Sequence, residues 1–418
     1  MKQPNPDTFC VAPWFQIRNG NNTSKKVCCH IDNKTRTDLD VWEHLNNDQN
    51  IRLKKNLHAG IKDSACTKCW QNEENNVISL RQKLNGALLH NKQDIKNSWI
   101  QSYFNHKNSW ESNKLLMADI KIGNTCNYAC IMCVPEDSSL IYNFWQKNKQ
   151  NEFVQDVLDK DPKYLDRVKK YSYKNKKYHD YINKILDNKH IKIIKLLGGE
   201  PLLDKNLLHN LAKIDDNRKR KMTIWIVTNG SVDLNETVTQ LGCFKQIYFV
   251  ISLEGIGEVQ EYARFGCDWK QLEKNITSFN SSDTRNLSIH HTLQATTVLN
   301  FIDLVKWCNI HNLSLSVGWV KNPDYLSLDV LPPIVKEEII TNLKNSKLHV
   351  RDDLLEEQET VDVNDILHRL KSSTFNLENY QKFLRYIKWY ESNKPNLDLK
   401  KLYPQLFQSF RKLTNFDN

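Results

Sequence analysis

With 418 residues, 39% hydrophobic and 26% charged, and with 15 Phe, 15 Tyr and 11 Trp, the chain can build a large aromatic core, which excludes an intrinsically disordered protein. Lys and Arg number 59 against 49 Asp and Glu, a net charge of +10, but the lysines are spread along the whole chain and form no Arg-rich stripe for a nucleic acid. No apolar stretch reaches the ~18 residues of a spanning helix and the opening "MKQPNPDTFCVAPWFQIRNG" lacks the apolar run of a signal peptide, so a cytoplasmic protein without a membrane partner is expected.

Residues 1–85 hold five of the 11 cysteines, Cys10, Cys28, Cys29, Cys66 and Cys69, among short possible strands and polar turns such as "RNGNNTSKK". In a reducing compartment, clustered thiols are read as ligands before disulfides. Five candidates can supply four ligands, and the C-x2-C at 66 to 69 with distant partners suits a zinc site or an iron–sulfur cluster equally. The segment reads as a small ligand-stapled α+β module, followed by a linker over 86–114.

From 115 to 333, six short apolar or alternating runs recur between segments that can be helical: "LMADIKI", "IKIIKLL", "MTIWIVT", "IYFVISL", "LSIHHTLQA" and "LSLSVGW". Such a series predicts β-α repeats around a parallel sheet. The turn signals "GNTC", "GGEP", "TNGS" and "EGIG" follow the first four strands, at the strand ends where α/β folds place their sites. Between the first two strands an insertion, 136–190, rich in Lys, Tyr and Asp, is predicted helical and placed over the sheet. His290 and His291 are neighbours on the fifth strand, so only one can face inward. Cys308 reads as a buried small hydrophobe, and Cys267 lies just after Arg264, near the expected mouth. Residues 334–418 read as a helical extension, in which Phe383, Ile387 and Tyr390 recur at helical spacing as packing residues.

"GNTCNYACIMCVP" places Cys126, Cys130 and Cys133 at the spacing C-x3-C-x2-C. One loop can bring three thiolates to a single inorganic centre. Iron–sulfur clusters take four ligands, so a three-thiol site leaves one iron able to bind something else, whereas a structural zinc site would close with a fourth Cys or His that the loop lacks.

This motif resembles the signature of the radical S-adenosylmethionine (SAM) superfamily, with Met132 at the position before the last cysteine where an aromatic often stands. The resemblance covers 115–320 and extends to the strand ends in order. It implies a partial (β/α)6 TIM-type barrel over 115–333, with Gly198, Gly199 and Glu200 of "LLGGEP" near the SAM amino group and Thr228 and Asn229 of "VTNGS" facing the site. It further implies Ser252 and Glu254 on the ribose, Arg264 on the SAM carboxylate, and Thr296 of "LQATTVLN" at the adenine. A 4Fe-4S cluster on Cys126, Cys130 and Cys133 would split SAM reductively to a 5′-deoxyadenosyl radical that abstracts hydrogen from a substrate.

The N-terminal pattern, with "FCVAPW", the "CC" pair, the later C-x2-C and the Ser79/Arg81 segment, resembles the twitch module, a relative of the SPASM module that carries an auxiliary iron–sulfur cluster. That likeness implies Cys10, Cys66, Cys69 and one of the adjacent pair, with Cys28 preferred over Cys29, as ligands. A peptide or protein substrate is expected, with an electron donor such as a flavodoxin or ferredoxin. A small molecule, sugar or nucleotide substrate is the alternative, and a zinc-stapled nucleic-acid binder is the rival of a different class.

Overall fold

The computed structural model describes residues 4–20, 25–31, 40–74, 78–89, 110–170, 176–282, 285–320, 323–346, 363–394 and 398–404. The greater part of the expected linker over 86–114 lies outside them.

Among the described residues ten strands form in chain order: β1 (Gln16–Asn19), β2 (Lys25–Lys26), β3 (Met117–Ile122), β4 (Ala129–Cys130), β5 (Ile193–Gly198), β6 (Thr223–Thr228), β7 (Gln246–Ser252), β8 (Arg264–Phe265), β9 (Arg285–Leu293) and β10 (Ser314–Trp319). The six expected strands are β3, β5, β6, β7, β9 and β10; they lie side by side in that order, each pair parallel. The chain is α/β, in the arrangement of a partial TIM-type barrel. Helices Lys205–Ala212, Leu234–Leu241, Trp269–Thr277 and Phe301–Ile310 make the crossovers. Asp204, Asp233 and Asp268 start the first three, each accepting a hydrogen bond from a backbone amide in the first turn.

The alternation of side chains gives the sheet two unlike faces. One packs under the crossover helices, for example Phe249 edge-on to Phe279. Across the other face, register lines up Arg18, Asp119, Lys195, Trp225, Tyr248 and Asn286 in one row. Arg18 pairs with Asp119 at 2.7 Å, and the Trp225 and Tyr248 rings stack at 4.5 Å. In the next rows Ser252, His290 and Ser316 align, His290 Nδ1 lying 2.9 Å from Ser316 Oγ. His291 points the opposite way, fully buried against Phe301. The two histidines thus divide between the faces as strand geometry demands.

The N-terminal segment joins this sheet. β1 pairs parallel with β3 and antiparallel with β2, extending the sheet to eight strands. Phe9, Trp14 and Phe15, all fully buried, pack on Leu116 and Met117 and fasten the segment to the barrel edge. Each such ring contributes roughly 1.5–3 kcal/mol on burial. The cysteine-rich region is therefore continuous with the barrel through both backbone and core.

The 136–190 insertion forms helices Ser139–Lys147, Glu152–Lys160, Tyr164–Lys170 and Lys176–Leu186. Its Trp145 and Phe153 pack on Tyr386 and Trp389 of the C-terminal helix Leu377–Ser392. That helix buries Tyr380, Phe383, Tyr386, Ile387 and Tyr390, the 3.6-residue stripe expected of packing residues.

Candidate functional site

The loop after β3 carries the three-cysteine motif, and a small antiparallel ladder fixes its middle. β4 pairs with β8, setting Cys130 opposite Arg264 and Ala129 opposite Phe265. Arg264 Nη1 donates toward Cys130 Sγ at 3.4 Å, and Nη2 forms an ion pair with Glu254 Oε1 at 2.6 Å. At the front of the loop, Ser139 Oγ bridges the Cys126 amide and carbonyl, each at 3.2 Å, and the Tyr128 amide points at Cys126 Sγ at 3.4 Å. Cys130 is buried, while Cys126 and Cys133 are half-buried.

Two glycines bring the loop after β5 against this one. A Cβ on Gly198 would lie 2.3 Å from the Ile122 carbonyl, and one on Gly199 2.1 Å from the Thr125 carbonyl. Gly198 also takes φ +132°, a conformation that L side chains rarely adopt. The close approach these glycines permit is to the backbone of the cysteine loop, and it delivers Glu200, whose amide donates to Thr125 O at 2.6 Å.

Glu200 is buried and its carboxylate is filled by protein donors: Thr228 Oγ1 and the Leu202 amide on Oε1, the Asn229 amide on Oε2. Burial raises its pKa, opposed by these donors. Glu200 thus ties the strand end of β5 to that of β6, and Asn229 Nδ2 continues the network to Asn127 Oδ1 at 2.8 Å and toward Cys126 Sγ at 3.9 Å. Glu254, fully buried, is likewise filled, by Arg264 and by the Thr292 amide at 2.8 Å. Of the residues singled out from the sequence, Asn229 and Arg264 reach the thiols directly, whereas Glu200 and Glu254 act by holding them. Ser252 is half-buried on the same face as His290. Asn127 and Ser139 were not singled out; polar residues flanking a ligand loop are the signal that would have found them.

The fit of a cluster and SAM is tested by what the surroundings leave open. Thr125 Oγ1, beside Cys126, Arg264 Nε, and the side chains of Gln294, Thr296 and Thr297 just beyond β9 are buried without a hydrogen-bond partner. Unfilled buried polar groups of this kind are uncommon and ask for a polar ligand. Burial raises Cys126 to about 12, with Arg264 acting in the opposite direction, and raises Cys130 and Cys133 as well, so metal binding here would be coupled to proton release. Among the described residues no three Cys, His, Asp or Glu converge as ligands of one metal ion. A cluster does not require that convergence, since its thiolates bind separate irons. The donor set fits the group.

A second set of thiols meets in the N-terminal segment. Cys10, Cys28, Cys66 and Cys69 line one small apolar cavity with Val27, Leu53 and Leu84. Burial raises all four thiols. Arg81 stands beside them, held by Glu73 through two hydrogen bonds and donating to Phe9 O, with its guanidinium 5.3 Å from the Trp70 ring centre. Ser79 also bonds Glu73, so the Ser79/Arg81 pair has a local purpose. Cys29 is exposed and lines a different cavity, of about 140 Å³, on the inner face of the sheet with Asp119, Lys195 and Trp225. Cys308 is buried in the core, and Cys267 lies half-buried beside Tyr128.

A parallel α/β sheet thus carries a three-thiol loop at the end of its first core strand, flanked by glycine-borne carboxylate and arginine contacts. Residues 120–307, a little under half of the chain, match the family model of the Radical SAM superfamily. No curated protein matches the sequence. Similar solved structures include Streptococcus suis SuiB bound to S-adenosylmethionine, at 16% identity and TM-score 0.32 over 57% of this chain and 49% of that one. Native anSMEcpe with bound AdoMet aligns at 17% identity and TM-score 0.35, over 55% of this chain and 59% of that one. Streptococcus suis SuiB bound to precursor peptide SuiA aligns at 15% and 0.33, over 82% and 64%. The chain thus spans about half the length of the first and less than two thirds of the other two. These overlaps are loose, and the likeness to the superfamily rests on the match over residues 120–307. Among the described residues no helix is long and apolar enough to cross a membrane.

Proposed function

We propose that the chain binds a 4Fe-4S cluster through Cys126, Cys130 and Cys133 and uses SAM to abstract hydrogen from a peptide or protein substrate. The observation that carries this reading is the three-thiol loop whose neighbours include unsatisfied buried polar groups at Thr125, Arg264, Gln294 and Thr296. When bound, the cluster and SAM supply reductive C–S cleavage and a 5′-deoxyadenosyl radical. The protein's own part is positioning. Arg264, oriented by Glu254, presents Nε to an anionic group; Asn229, oriented through its amide by Glu200, presents its side chain beside Cys126; Gly198 and Gly199 set the distance between the two loops; Thr296 offers its hydroxyl to the adenine, Ser252 completes the polar wall, and Thr228 contributes by holding Glu200. Cys10, Cys28, Cys66 and Cys69 are proposed to hold an auxiliary cluster in a twitch-like module, because four buried thiols share one cavity.

The inner face supports a peptide: a row of charged, aromatic and amide side chains crosses six strands and offers partners to several groups at once. Eleven free thiols suit a reducing cytoplasm, with a flavodoxin or ferredoxin as electron donor. The test is anaerobic reconstitution, reduction and incubation with SAM and deuterated extracts separated into peptide and small-molecule fractions. 5′-Deoxyadenosine is expected from the wild-type chain and not from the Cys126→Ala, Cys130→Ala, Cys133→Ala variant. Deuterium entering it from the peptide fraction supports the substrate reading; deuterium from the small-molecule fraction alone transfers the proposal to that class.

A further inference from the structure

The C-terminal helix Leu377–Ser392 lies outside the family-matched residues, yet it reaches the backbone on both sides of Cys130. Tyr386 Oη donates to the Ile131 carbonyl, Tyr390 Oη to the Ala129 carbonyl at 2.9 Å, and Lys394 Nζ to that same Ala129 carbonyl at 3.1 Å. Tyr386 and Tyr390 are spaced i, i+4 and so share one helix face. Both rings are buried, and Trp145 and Phe153 of the insertion pack on the same helix.

Lys394 is the unusual member. It is 1% exposed, with its nitrogen 2.8 Å from the centre of the Tyr390 ring and 4.6 Å from that of Phe265. Its hydrogen bond goes to a neutral carbonyl; burial lowers its pKa well below the usual lysine value, and the negative groups that act in the opposite direction are Cys130 and Glu391. Glu391 itself accepts from the Tyr262 hydroxyl and the Leu399 amide. An ammonium taken this far from water is destabilising by several kcal/mol unless a counter-charge faces it. Glu391 and, once ligation takes its proton, Cys130 are the counter-charges this neighbourhood offers.

We infer that Lys394, carried by the C-terminal extension, is a positioning residue whose charge raises the reduction potential of the cluster held by Cys126, Cys130 and Cys133. The inference rests on the ligand assignment proposed above. Its physical basis is general: cluster potentials follow net charge, hydrogen bonding and solvent exposure, and a fixed buried cation favours the form carrying one more electron. Tyr386 and Tyr390 hold the carbonyls that set the distance between that cation and the loop.

The experiment is a redox titration of the reconstituted full chain followed by electron paramagnetic resonance, with the triple Cys126, Cys130, Cys133→Ala variant identifying which signal belongs to the loop. Lys394→Gln keeps a donor for Ala129 while removing the charge, and Lys394→Arg keeps the charge. At wild-type iron content, the loop signal of Lys394→Gln is expected to titrate at lower potential, with Lys394→Arg closer to wild type. Equal midpoints in Lys394→Gln and wild type would overturn the inference while leaving the ligand assignment intact. If Lys394→Gln fails to hold iron, Tyr390→Phe decides, since it loosens the carbonyl clamp and leaves the charge: an unchanged midpoint in Tyr390→Phe together with a wild-type midpoint in Lys394→Arg supports charge, and a lowered one in both overturns it. A wild-type chain with no signal that the triple substitution removes overturns the assignment and the inference together.

Discussion

The two cysteine sites contrast in what surrounds the sulfur. The N-terminal set is four thiols in a small, mostly apolar cavity whose lining includes Arg81, already held by Glu73 and Phe9 O. The set after β3 is three thiols beside Arg264, Asn229 and several buried polar atoms without partners. A site that fills its own ligand positions suits storage or relay of electrons, while one that stops at three and leaves polar groups open suits exchange with a bound molecule. The lesson is that ligand count and unsatisfied polarity, taken together, separate a closed centre from an open one where cysteine spacing alone does not.

The largest test of that contrast removes one site and watches the other. Cys66→Ala with Cys69→Ala is expected to lower iron by about one cluster per chain while leaving the iron of the β3 loop in place. Iron and sulfide analysis after anaerobic reconstitution checks it; unchanged iron would mean the N-terminal cavity holds no cluster. Because Phe9, Trp14 and Phe15 anchor this region independently of the thiols, the barrel edge is expected to survive the substitution.

A smaller effect distinguishes neighbours within the closed site. Cys28 is buried in the four-thiol cavity, whereas Cys29, in the bend just after it, is exposed and lines the separate cavity on the inner face of the sheet. Cys28→Ser is expected to lose most of one cluster's iron and Cys29→Ser almost none. The reverse order would exchange the two residues in the assignment, and equal loss would mean that neither orientation decides ligation.

Much of this was legible in the chain itself. The six core strands follow from short β-branched and apolar runs closed by turn residues, and their order in the sheet follows from the parallel crossover rule. The cysteine loop is local, so its spacing carries its geometry. What sequence could not supply is who fills whom. Glu200 and Glu254 read as groups aimed at a ligand, but their oxygens are taken by Thr228, Asn229, Arg264 and Thr292, partners 10 to 38 residues away that meet only after the strands align. Nor does any periodicity announce that β1 joins the barrel edge, or that Tyr390, correctly read as packing, also donates to Ala129 some 260 residues earlier. Long-range hydrogen bonds leave no local pattern.

The smallest effect concerns the most deeply buried lysine of each region, Lys54 and Lys394. Lys54, fully buried in the N-terminal region, donates to Leu45 O at 2.7 Å, Ser112 Oγ at 2.8 Å and Trp110 O at 3.0 Å, joining helix Asp48–His58 to the segment before β3. Unlike Lys394 it has no thiol among the charges that act on it; burial lowers it from 10.5 to about 7, with Glu111 acting in the opposite direction. Between those two values the unfolded chain holds the proton and the folded chain does not, so this residue makes stability rise with pH, and its full cost is felt below about 7. From pH 7 to 9 the gain amounts to roughly 2 kcal/mol, and Lys54→Met is expected to remove it, flattening the difference between urea midpoints at the two pH values. A pH difference unchanged in Lys54→Met would mean that Lys54 stays protonated through its neutral acceptors, which also include Asn46 Oδ1 at 3.5 Å. Neutral hydrogen bonds would then suffice to hold a buried ammonium in this protein, and Lys394 would need no cluster opposite it.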